Sequence, residues 1–92
     1  MKCKIVNHFE RHGLLELEYE RDRWSEAFRS EKYRDGRLIE FSSVKELDDF
    51  MKKARAELFM IDNPGSVDVW ISPNPKDDCF DIGIHEDLSY FD

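Results

Sequence analysis

Residues 42–59 read SSVKELDDFMKKARAELF, and this stretch constrains the fold more than any other. Val44, Leu47, Phe50, Met51, Ala54 and Leu58 recur at spacings of three and four, which lines one side of a helix with apolar groups. Lys45, Asp48, Asp49, Lys52, Lys53, Arg55 and Glu57 fall on the other side. Ser43 with Glu46 three places later is a capping box: the serine oxygen accepts from the Glu46 amide and the carboxylate reaches back to the serine amide. The predicted helix covers about 43–59. Asn63-Pro64-Gly65 then breaks the chain. A chain with one such helix can cover one face of one sheet.

The rest of the sequence supplies that sheet. Residues 3–9, CKIVNHF, alternate loosely and suit a strand, and Glu10 to Gly13 look like a turn. In LLELEYE, Leu15, Leu17 and Tyr19 face one way and Glu16, Glu18 and Glu20 the other, the period of a half-buried antiparallel strand. Trp24, Ala27 and Phe28 fit helical spacing, yet Asp35-Gly36 is a two-residue hairpin signal and RLIEF after it reads as a strand. Residues 26–34 are therefore assigned as the partner strand, with a helix over 22–34 as the alternative. SVDVWIS and CFDIGIH alternate again and pair as a second hairpin. The loop between them, PNPKDD, has prolines that oppose regular pairing there. Phe80, Ile82 and Ile84 point inward and Asp81, Gly83 and His85 outward. The tail carries Leu88, Tyr90 and Phe91, part of which is expected to pack back. The sum is a single small α+β domain over 1–92, mainly an antiparallel sheet of about five to six strands. Its element order is β-β-β-β-α-β-β, with the one long helix packed on one face. Trp70 falls on the second face, where it is either an exposed anchor flanked by Asp68 and Asp81 or buried by curling of the sheet.

The charge is unevenly placed. Residues 1–61 carry thirteen acidic and thirteen basic side chains, whereas 62–92 carry eight acidic ones and only Lys76, so the whole net charge of −7 lies in the last third. A phosphate backbone requires the opposite sign, so direct nucleic-acid binding is not expected there. A basic protein partner suits it better, since complementary potentials speed encounter and fix orientation. The plainer alternative is that these carboxylates only keep a small protein soluble. Met1 is followed by charged residues, and no apolar run approaches the roughly 20 residues that span a bilayer. A cytoplasmic protein without membrane attachment is expected, with Cys3 and Cys79 as reduced, buried thiols.

No residue pattern names a reaction. His8 and His12 are four apart but flank a strand end and turn, with no third ligand near in sequence. Cys79 and His85, six apart on one strand, lie roughly 20 Å from each other and cannot act as a pair. Asp77 and Asp78 are adjacent on a loop, and Glu16, Glu18 and Glu20 have no pocket around them. There is no phosphate loop, no Ser-x-x-Lys, no His-Glu-x-x-His and no Cys-x-x-Cys. Neither an enzyme nor a cofactor is expected. The expected function is an acidic protein-binding module, an inhibitor or immunity-type protein that blocks a basic partner such as a nuclease or toxin. Asp68, Trp70, Asp77, Asp78, Asp81, Glu86, Asp87 and Tyr90 are the candidate contact residues. The alternatives are a phage or mobile-element DNA mimic, and a homodimeric structural or accessory subunit pairing through its sheet face or an edge strand.

Overall fold

The computed structural model describes residues 1–17 and 21–87. Strand β1 (Lys2–Asn7) runs into a four-residue helix α1 (His8–Arg11). Four 3-10 turns follow, at Leu14–Glu16, Arg21–Arg23, Glu26–Arg29 and Glu31–Tyr33. The chain continues through β2 (Leu38–Glu40), α2 (Val44–Glu57), β3 (Val67–Asn74) and β4 (Cys79–Glu86). The described strands form one sheet in the order β2-β1-β4-β3. β1 pairs antiparallel with β2 and parallel with β4, and β3 pairs antiparallel with β4. The α+β class and the single main helix on one sheet face agree with the sequence reading. Among the described residues no helix is long and apolar enough to cross a membrane.

α2 forms where the apolar stripe predicts. Ser43 Oγ accepts from the Glu46 amide at 3.1 Å, while the Glu46 carboxylate accepts from the Ser42 amide at 2.7 Å and from the Ser42 hydroxyl, one residue earlier than the sequence suggests. Those bonds hold the Glu46 carboxyl below its ordinary range, the Ser42 hydroxyl contributing most. Leu47, Met51, Ala54 and Leu58 are buried against Cys3, Ile5, Val69, Ile82 and Ile84 of the sheet. Val44, expected on the same stripe, is 71% exposed, whereas Leu47 one turn on is buried.

Among the described residues irregular structure stands where two strands are expected, and the sheet is mixed, with four strands instead of five or six. The predicted strand at 14–20 begins as a 3-10 turn with Leu15 buried, and residues 18–20 lie outside the described residues. The predicted strand at 26–34 is two 3-10 turns joined at Ser30 in extended conformation. The reason lies in parity. Phe28 and Tyr33 are both almost fully buried, yet five residues apart they would face opposite sides of a strand. The turns rotate both toward one core. Phe9, Trp24 and Phe28 meet there with ring centroids 4.9–5.3 Å apart. The segment is pinned to the end of α2 by Ser25, whose hydroxyl donates to the Glu57 carbonyl at 2.6 Å and accepts from the Phe59 amide at 3.3 Å. Asp35-Gly36 does make a tight turn, with Gly36 at φ 85°, but it delivers the chain into β2 alongside β1.

Pro73, expected in a loop, belongs to β3, where it pairs with Phe80. β3 is an edge strand, the position in a sheet that tolerates proline. Because the Asp87 amide donates to the Ser66 carbonyl, even-numbered residues of β3 bond to β4, while Val67, Val69, Ile71 and Pro73 turn their backbone polar groups toward the free edge. Pro73 has no donor to offer there. The Val69 amide donates to the Asp68 carboxylate at 2.9 Å, and the Val69 carbonyl accepts from the Arg55 guanidinium at 2.7 and 3.1 Å. The middle of the edge is thus occupied by side chains, an arrangement that opposes pairing with another strand. The double variant Arg55→Ala/Asp68→Ala is expected to self-associate at least about tenfold more tightly than wild type in light scattering, each freed group regaining a bond worth roughly 1 kcal/mol across a new strand pair. Unchanged association would show that the two side chains do not guard the edge.

Candidate functional site

The register assigns each strand residue to a face. Cys3, Ile5 and Asn7 align with Phe80, Ile82 and Ile84, and these with Pro73, Ile71 and Val69, on the side covered by α2. The opposite side carries, beyond Lys2 with Glu40 and Cys79 with Asn74 at one end, three further cross-strand rows. One holds Leu38, Lys4, Asp81 and Ser72; the next Val6, Gly83 and Trp70; the third His85 opposite Asp68, with His8 arriving beside His85 from the end of β1. His8, at the start of α1, meets His85 on this side, and His12, the cap just past α1, stacks on His8.

Trp70 stands on this face midway along the edge strand β3, at 54% exposure. Its indole lies across Gly83: a Cβ added there would sit 2.7 Å from Trp70 Nε1 and 2.9 Å from Cδ1. The other flank of the ring packs on His85, with centroids 4.3 Å apart. His85 in turn meets His8 edge-on at 6.0 Å, and His8 stacks on His12 at 6.2 Å. An indole and three imidazoles therefore run in one row across the open side.

Of the residues expected to contact a partner, Asp68, Trp70 and Asp81 share this face. The others are divided. Asp77 and Asp78 lie in the β3–β4 turn, where Asp78 takes a left-handed φ of 53°. Asp77 is bonded by Asn74 at 3.1 Å and by Lys4 at 3.3 Å, and these partners hold its carboxyl below its ordinary range, Asn74 first. Asn74 also donates to Asp81 at 2.9 Å. Glu86 and Asp87 lie at the far end of β4, roughly 23 Å from the turn at ~3.3 Å per residue. Tyr90 lies outside the described residues. The acidic groups thus mark two ends of a hairpin rather than one patch, and Asp77 is matched by a lysine from β1.

The sequence reading missed the histidine row and the function of Gly83. His8 and His85 are brought together by the parallel β1–β4 pairing, which alternation within each strand does not reveal. Gly83 did carry a signal, because a glycine inside an alternating strand marks a close approach by another group. Among the described residues, no three His, Cys, Asp or Glu side chains are arranged to hold a metal ion. Cys3 and Cys79 are free thiols on neighbouring strands with opposite facing, and burial pushes the Cys3 thiol upward in pKa.

Fold and face together define a small α+β domain with a helix-covered core on one side of its sheet and, on the other, an exposed indole followed by a row of imidazoles of which His85 and His8 are half-buried. Compared with known protein families, curated proteins and solved structures, the chain matches none.

Proposed function

We propose that this protein is a non-catalytic binding module that docks a cationic protein partner on the open face of its sheet. The observation that carries the reading is Trp70: more than half exposed, yet held in place by Gly83 and His85. A large aromatic presented in one orientation loses little entropy on binding and is a common anchor. Asp68 and Asp81 beside it are suited to Lys or Arg of the partner, which fits the inhibitor or immunity-type role. Asp77, Asp78, Glu86 and Asp87 at the two ends of the hairpin contribute a steering field more than direct contacts. The DNA-mimic alternative needs a continuous row of carboxylates, and the division described above lends it no support.

The test compares capture of a partner from the native host by wild type, Trp70→Ala, Gly83→Ala and a variant neutralising Asp77, Asp78, Glu86 and Asp87. Trp70→Ala is expected to weaken binding by about 30-fold or more, the loss of a hot spot of ~2 kcal/mol. Gly83→Ala, which forces the indole off its seat, weakens it in the same direction. The neutralised variant keeps the partner but associates more slowly and with less salt dependence. Retention of the same partner at unchanged affinity by Trp70→Ala would refute the proposal.

A further inference from the structure

The anchor of the proposed docking face rests directly on a titratable group, and that group is the end of a row of three. His85 places Nδ1 2.9 Å from the Glu86 carbonyl oxygen, so in the neutral ring Nδ1–H donates and Nε2 carries the lone pair. Nε2 is buried and has no hydrogen-bond partner. A proton added at Nε2 would create a charged donor facing no acceptor, an arrangement proteins avoid by moving the group. The ring that must move is the one against which Trp70 packs.

The surroundings add repulsion to this. His8 is approached by His85 from β4, by Arg11 and His12 from α1, and by Asp35 from the turn before β2. Arg11 is held by Asp35 in a forked pair at 2.8 and 2.9 Å, so that carboxylate is shared. Burial first, then His85, Arg11 and His12, lower the pKa of His8, and Asp35 opposes them. Asp68 stands opposite His85 on β3, with its carboxylate engaged by the Val69 amide.

We infer that the imidazole row makes recognition by the Trp70 face proton-gated: the face accepts a cationic partner while His8, His12 and His85 are neutral and rejects it once they are protonated. The inference rests on the docking reading above and adds its regulation. The sign follows from linkage. Binding that requires the imidazoles neutral weakens as pH falls, by at most about tenfold per pH unit for each proton excluded.

The gate can be tested without the partner. Trp24 is 5% exposed and Trp70 is the other tryptophan of the chain, so collisional quenching reports on Trp70, with Trp70→Phe as the background. Iodide and caesium ions are the probes, in buffer containing a chelator. Between about pH 7.5 and about pH 5.5, the ratio of iodide to caesium quenching is expected to rise at least about twofold in wild type. The rise should shrink in His85→Gln and in His8→Gln/His12→Gln, with circular dichroism showing each variant folded. His12 is exposed, so His12→Gln is expected to fold and reports even if the inner variants do not. A ratio indifferent to pH in wild type overturns the gate and leaves Trp70-dependent capture standing. In the second arm, captured partner is washed at the lower pH. Release from wild type and retention by His85→Gln support the gate, and retention by both overturns it. Capture that ignores Trp70→Ala sinks the docking reading instead.

Discussion

Replacing Phe28 with alanine is expected to cost about 3–5 kcal/mol, the usual range for deleting a buried aromatic ring. Phe28 sits at 2% exposure between Phe9 and Trp24, with ring centroids 5.3 and 5.1 Å away. No extended strand ladder or long helix holds residues 21–34; besides the buried Trp24, Phe28 and Tyr33 side chains and the bonds of the Ser25 hydroxyl, an isolated bridge ties them to the segment after α2, the Ser25 amide donating to the Phe59 carbonyl at 3.0 Å and the Ile61 amide to the Arg23 carbonyl at 2.6 Å. Removing one ring leaves a cavity that its two neighbours cannot close without abandoning their mutual contacts. A domain of this size has only ~5–15 kcal/mol of stability in all, so the variant should unfold at a much lower urea concentration, with its midpoint shifted at constant slope. A loss under about 1 kcal/mol would show that this segment is not part of the cooperative core.

Asn7→Ala is expected to cost about 2–4 kcal/mol, although it removes no large apolar surface. Asn7 is fully buried at the end of β1. Its Nδ2 donates to the Tyr33 carbonyl at 3.0 Å, and its Oδ1 accepts from the Glu10 amide at 3.1 Å, capping α1. Alanine forfeits the cap, worth about 1 kcal/mol, and leaves a buried carbonyl without a donor, worth about 1–3 kcal/mol. Asn7→Asp separates the two contributions. It keeps the cap acceptor but turns a second acceptor toward the Tyr33 carbonyl, and it should be at least as unstable as alanine. At roughly 4–8 °C per kcal/mol, thermal melts resolve both. If Asn7→Asp melts with wild type, the bond to Tyr33 does not matter.

These two sites also mark where sequence reading succeeds and fails. α2 was legible because three independent signals agree on a helix over about 43–59: the cap, the apolar stripe and the Asn-Pro-Gly stop that follows at 63–65. The β3–β4 hairpin was legible because both strands alternate in a consistent phase, which also placed Trp70, Asp68 and Asp81 on the uncovered side. Residues 14–17 and 21–34 were not, because a 3-10 turn buries side chains at intervals matching neither 2.0 nor 3.6. Trp24, Phe28 and Tyr33 are four and five apart and satisfy no single period. Asp35-Gly36 then suggested a hairpin, when the strand it feeds pairs instead with β1. Pairing between elements far apart in the chain leaves no mark on local alternation. For that reason the β1–β4 contact, and the meeting of His8 with His85 that depends on it, were out of reach.

The central pair of strands has a consequence for how the molecule assembles. Cys3 lies beside Phe80, and both strands are interior to the sheet. Until β4 has been synthesised, β1 has only the three-residue β2 as a ladder neighbour. Closing so long a loop costs chain entropy before any contact repays it. A nascent chain emerging from the ribosome should therefore remain open, acquiring protection from proteolysis in one late step when its final hairpin slots between the first strand and solvent.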